Sequence, residues 1–149
     1  NYPELDSNIK GVFYGIRLSH SRAHFTRSIL EGIAYLIRKN LDYLKKINIR
    51  TNKLISLGGG SKSNIWNQIK ADVMGKDIIV TKQKESTSCG VAILAAVKLL
   101  MFKDINDAVH NSVKIKKVFH PKNKRVYDKQ YAIFLDIYKR IEAIFPINI

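Results

Sequence analysis

The run Gly58-Gly59-Gly60-Ser61-Lys62-Ser63-Asn64 has the residue types of a turn that binds an anion or a nucleotide. Three glycines let the main chain approach a ligand with no Cβ atoms in the way, and they permit positive φ. The helix start predicted just after them offers unpaired N–H groups and a partial positive charge. The alternative is a turn that merely reverses the chain. Two common phosphate motifs do not fit. A P-loop needs Gly-x-x-x-x-Gly-Lys-Ser/Thr, and here Lys62-Ser63 follows Ser61. The dinucleotide fingerprint would need glycine at position 63. It would also want an acidic residue at the end of the second strand, whereas Asp77 opens that strand.

Other residues carry weaker chemistry. His20 and His24 are four apart and could share a helix face, but no glutamate sits in the zincin position and no third metal ligand is evident. They are read as structural or surface residues. Cys89, beside Gly90 at a helix start, could have a lowered pKa, but small packing residue is the simpler reading. Trp66 could stack on a purine, yet it lies in an amphipathic stripe with Ile65 and Ile69 and is read as core. Glu31 and Glu85 are read as hydrogen-bonding groups, and Arg22 and Arg27 as helix-surface charge.

The elements that must hold these residues follow from periodicity. Phe25, Ile29, Ile33, Leu36, Ile37, Leu41 and Leu44 recur at helical spacing, predicting a helix over about 22–47. Lys53–Leu57 reads as a strand running into the glycines. Positions 61–74 read as a helix, with Ser61 and Ser63 as N-caps and Gly75 as the stop. Asp77–Thr81 is a β-branched strand. Gly90–Phe102 is small and apolar nearly all round, predicting a helix buried on most sides. Asp104 caps a short helix through Val113. Lys114–Arg125 is basic and reads as a surface loop, and Tyr127–Phe145 as a final amphipathic helix. Residues 1–10 read as an irregular lead-in, and Gly11–Ile16 as a strand or tight loop. Strands alternating with helices predict an α/β layer structure. Only two or three strands are visible, which is thin for a self-sufficient sheet.

The chain of 149 residues, 46% of them hydrophobic, is long enough for one domain with a core. No apolar run reaches the roughly 18 residues of a membrane span; the longest, Val91–Leu100, is broken by Lys98. The start lacks the apolar core of a signal peptide. The single cysteine excludes an internal disulfide and a cysteine-rich zinc site. A cytoplasmic protein with no membrane partner is expected. The net charge of +14 comes from 19 lysines and 7 arginines scattered along the chain. That pattern favours solvated surface charge over a nucleic-acid interface, since scattered lysines read no base edges. The chain opens on Asn1 and not on Met, so a processed or cut piece of a longer protein is expected.

Three segments resemble the C-terminal lobe of the FGGY carbohydrate kinases, and within them the xylulokinase-like members. Gly11-Val12-Phe13-Tyr14-Gly15-Ile16, followed after seven residues by His24-Phe25-Thr26-Arg27-Ser28-Ile29-Leu30-Glu31-Gly32, fits the family's second signature at every defined position. Leu57 through Gly75 resembles its adenosine motif. Glu85-Ser86-Thr87-Ser88-Cys89-Gly90-Val91-Ala92-Ile93-Leu94-Ala95-Ala96 resembles its Glu-x-x-x-x-Gly-Ala-Ala-x-Leu-Ala-Ala helix. Pro121 and the tyrosine-rich helix after it also have the family's look, so the likeness spans nearly the whole chain. Two places depart from the pattern: Cys89 stands where many relatives have Leu or Ala, and Asp6-Ser7-Asn8-Ile9-Lys10-Gly11 replaces Asp-Pro-x-Ala-Arg-Gly.

The resemblance implies a partial actin-like, ribonuclease-H-like lobe. It implies transfer of the γ-phosphoryl of ATP to a sugar hydroxyl with Mg²⁺. Residues 1–149 would be the C-terminal, ATP-binding segment, with the first lobe and the start of this one upstream of Asn1. Gly59-Gly60 would match the family's adenosine-binding pair and Asn64 its adenine-contacting amide, whose donor and acceptor suit a purine edge. Gly58, Ser61 and Lys62 would border the nucleotide. The family's catalytic aspartate turn and its Asp-x-Gly phosphate motif have no match here; Asp6, Asp72 and Asp77 lie in other contexts. The expected site therefore holds no catalytic residue and no metal ligand, the sugar would be bound mainly by the first lobe, and the isolated chain should be inactive. A homodimer is the assembly to test for. The competing readings are a basic nucleic-acid-binding module and a non-catalytic actin-like nucleotide sensor.

Overall fold

The computed structural model describes residues 11–83 and 85–142. The expected lead-in over 1–10 and the last turn of the final helix at Phe145 lie outside the described residues. The fold is α/β, with five α-helices and one three-stranded sheet among the described residues. The chain divides into two units: Thr51–Ala71 with Lys76–Pro121, and Asn1–Arg50 with Asp72–Gly75 and Lys122–Ile149.

The first of these units holds the sheet. Strand β1 (Lys53–Ser56) pairs in parallel with β2 (Asp77–Thr81), Lys53 opposite Asp77 and Ser56 opposite Val80. A parallel pair needs a crossover, and helix α2 (Asn64–Met74) supplies it. Strand β3 (Ile115–Phe119) pairs antiparallel to the other side of β2, Ile78 opposite Phe119, with an irregularity between Val80 and Thr81. The central strand buries Ile78 and Val80.

Two expectations fail in this unit. Lys114–Arg125 is not all surface loop, because Ile115–Phe119 is a strand. Lys116 and Lys117 are exposed on it, which is how an edge strand discourages further pairing. That charge hid the strand among other lysines. The small-residue helix α3 runs over Ser86–Lys98, four residues earlier than expected, and Ile93 is its single buried side chain. Val91 and Leu94 are 64% and 58% exposed, so the apolar composition is not matched by cover from the described residues. Helix α4 (Ile105–Ser112) starts as expected: the Asp104 carboxylate accepts from the Asp107 N–H at 2.9 Å, and the Asp107 carboxylate accepts from the Lys103 N–H at 3.2 Å. The first bond is an N-cap; the second ties the residue before the cap to the first turn of the helix. Helix α4 packs against α3.

The second unit is built on α1 (Arg22–Lys46) and α5 (Lys124–Glu142). Positions 11–20 form no strand; a turn closed by His20 N–H to Arg17 O precedes α1. The expected apolar stripe of α1 is in place but half-open: Ile29, Ile33 and Leu36 are exposed, while Ala34 and Tyr35 are buried. Tyr35 packs among Tyr127, Tyr131 and Phe134 of α5, with ring centroids 5.1–6.3 Å away. Polar rungs flank these rings. The Tyr127 hydroxyl donates to Glu31 at 2.7 Å and accepts from Arg27 at 2.6 Å. Arg38 pairs with Asp128 at 2.6 Å and lies over the Tyr131 ring, whose hydroxyl donates to Asp42. Asp72 is buried and accepts from the Lys122 and Asn123 N–H groups at 2.6 and 3.2 Å, anchoring the chain where α5 begins.

Candidate functional site

The glycine turn is shaped from both of its ends. Strand β1 stops at Ser56, and Gly58 takes φ 72° and ψ −164°, a conformation that side chains with a Cβ avoid. A single 3₁₀ turn, Gly59–Lys62, follows before α2 starts at Asn64. Ser61 closes the turn twice on one carbonyl, its N–H donating to Gly58 O at 3.2 Å and its hydroxyl at 2.7 Å. Ser63 caps α2, its hydroxyl accepting from the Trp66 N–H at 3.2 Å. Of the two serines named as caps, Ser63 does that work and Ser61 braces the turn.

The three glycines have different surroundings. A Cβ placed on Gly58 or Gly59 would meet nothing within 4 Å, so the main chain there faces open space. A Cβ on Gly60 would lie 2.2 Å from the Trp66 ring. Gly60 is thus required by packing, and Trp66 forms the floor of the turn. Lys62 in the turn and Asn64 at the first helical position are exposed.

Under the turn lie polar groups that the sequence reading passed over. Asn67 is fully buried, and its amide donates to Ser61 O at 2.7 Å. Lys70 is 8% exposed, donates to the Ser56 hydroxyl and sits 4.7 Å from the Trp66 ring. Burial lowers the pKa of its ammonium. Only the i, i+3, i+4 spacing of Lys70 from Asn67 and Trp66 could have flagged these residues, since that spacing puts all three on one face of α2.

The remaining candidates separate from this turn. His24 takes the place of the acid in a capping box: the Ser21 N–H donates to its Nδ1 at 3.2 Å, so its role is structural, and His20 stacks on it at 5.2 Å. Glu31 and Arg27 belong to the tyrosine rungs. Asp77 pairs with the His120 ring at 2.8 Å. Cys89 is half-buried in the first turn of α3. Among the described residues, no group of three His, Cys, Asp or Glu side chains gathers that could hold a metal ion. Among them, too, no helix is long and apolar enough to cross a membrane.

Comparison with known proteins matches residues 1–99 to the C-terminal domain of the FGGY family of carbohydrate kinases. The chain is 35% identical over 144 residues to the xylulose kinase of Staphylococcus epidermidis, covering 95% of this chain and 29% of that protein. Its fold is similar to ligand-bound xylulose kinase from Lactobacillus acidophilus, with a TM-score of 0.86 at 22% identity over 94% of this chain and 29% of that one. The gluconate kinase of the same organism superposes with a TM-score of 0.84, also at 22% identity over 94% of this chain and 29% of that one. The chain therefore spans less than a third of the length of these relatives, and its fold is part of an actin-like lobe.

Proposed function

The chain belongs to the FGGY family of carbohydrate kinases, and on that premise we propose that it supplies the adenosine-binding part of a kinase that phosphorylates a sugar hydroxyl. The acceptor is a ketopentose such as xylulose; gluconate is the alternative suggested by the second structural relative. The observation that carries this reading is the bare turn Gly58-Gly59, open to solvent and braced by Ser61. A purine nucleotide lies against it, with Gly60 and Ser61 in the same bend and the Asn64 amide at the purine edge.

Phosphoryl transfer depends on positioning, on charge stabilisation and on one group that accepts the hydroxyl proton. This chain contributes positioning. Asp72 and Asp77 are held in hydrogen bonds within their own units, and neither follows a glycine-rich turn, which supports reading them as structural and not as the proton acceptor. When bound, Mg²⁺ supplies charge neutralisation at the phosphates of ATP. The segment alone is then inactive. The complete enzyme works in the cytoplasm, as a monomer or a homodimer that light scattering distinguishes.

Titration of the full-length protein with ATP and ADP tests the reading. Asn64→Ala should weaken nucleotide about tenfold, the scale of one lost hydrogen-bonded contact, and leave sugar affinity unchanged. Unchanged nucleotide affinity would remove the assignment of this turn. A phosphorylation screen over xylulose, ribulose and gluconate identifies the acceptor.

A further inference from the structure

We infer that Asn67 is the positioning residue of the nucleotide turn: a buried side chain of α2 that holds the turn in its binding shape without touching the ligand. The inference rests on reading that turn as the nucleotide site.

Asn67 is fully buried. Its Nδ2 donates to Ser61 O at 2.7 Å, and its main-chain N–H donates to Ser63 O at 3.0 Å. Ser61 in turn holds Gly58 O through both its N–H and its hydroxyl. One chain of hydrogen bonds therefore runs from the helix through Ser61 to Gly58, the residue in the conformation only glycine takes readily. The orientation of the amide is fixed by chemistry, because the reverse would set two carbonyl oxygens against each other.

The other half of the amide is orphaned. Among the described residues, Oδ1 is buried with no hydrogen-bond partner. A buried, half-satisfied amide is a poor source of stability compared with an apolar side chain of the same shape. What Asn67 supplies that leucine would not is a directed donor to one carbonyl of the turn. Trp66, one residue earlier, blocks the Cβ side of Gly60, so the turn is held by packing at one residue and by a hydrogen bond at the next.

The test uses full-length protein carrying Asn67→Leu or Asn67→Ser, with Asn64→Ala in parallel. The dissociation constant of ADP is measured by calorimetry, and the thermal midpoint is measured without nucleotide. Both Asn67 variants should fold and bind ADP about tenfold more weakly, the scale of one mispositioned contact. A purely structural role would move the midpoint and leave ADP affinity within about twofold; that result overturns the inference, as does failure of both variants to fold. If Asn64→Ala weakens ADP while both Asn67 variants do not, the inference fails alone. If none of the three changes ADP affinity, the assignment of the turn itself fails.

Discussion

At the scale of single residues, Gly59 and Gly60 look interchangeable in sequence and are opposites in space. Alanine at Gly60 drives a methyl group into the Trp66 ring. It should cost about 1–3 kcal/mol of folding stability, the usual range for overpacking, measured by denaturant unfolding of the full-length protein. Alanine at Gly59 meets only open space. Gly59→Ala should leave the unfolding midpoint near that of the parent and still weaken ATP, because its methyl group would occupy the surface on which the proposed site seats the purine. Equal effects of the two substitutions on stability would contradict this division of roles. The glycines themselves were legible from their run after a short apolar strand. That Gly60 serves Trp66 was not, because it depends on a contact across six positions that the helical stripe alone assigned to the core. Asn67 was missed for a similar reason: nothing in a sequence says that a polar residue on a helix has turned its amide inward toward a carbonyl.

At the scale of elements, the long helices and the two β-branched strands were legible from spacing, and β3 was not. A strand with two exposed lysines among five residues lacks the alternation that marks a half-buried strand. The inward face of α1 was misassigned in part, because aromatic rings of α5 select Tyr35 over the more regular isoleucine stripe. The end of α3 carries a strain the sequence hides. Leu100 has φ 57° and is 89% exposed, a left-handed conformation with no burial in return. Leu100→Gly should raise stability by about 0.5–1 kcal/mol; a lower unfolding midpoint would contradict it. The tyrosine rungs between α1 and α5 set a pH limit. Burial raises the pKa of Tyr35, Tyr131 and Tyr127 above the ordinary value of 10.0; the Glu31 carboxylate adds to the rise for Tyr35 and Tyr127, and Asp42 to that for Tyr131. Unfolded tyrosine then ionises before folded tyrosine does. The stability these groups contribute is complete below pH 10 and is lost as pH rises above it. Unfolding at increasing alkaline pH should show that decline, and Tyr131→Phe should make it shallower.

At the scale of the whole molecule, the chain spans less than a third of its relatives' length. The open stripe of α1 and the uncovered face of α3 have the apolar composition of core helices. The resemblance read from the three motifs covered nearly the whole chain, and the match to the family domain over residues 1–99 agrees with it. Family and fold were therefore readable, since motif order is carried by the sequence itself and does not depend on which faces are covered. The acceptor sugar was not, since no residue assigned to sugar binding lies in the sequence. The most direct measurement is a crystal structure of the full-length protein with ADP. The account predicts the purine lying against Gly58 and Gly59, with the Asn64 amide at its edge and Asn67 still bonded to Ser61 O beneath. Nucleotide bound elsewhere, with that turn covered by neighbouring side chains, would contradict it.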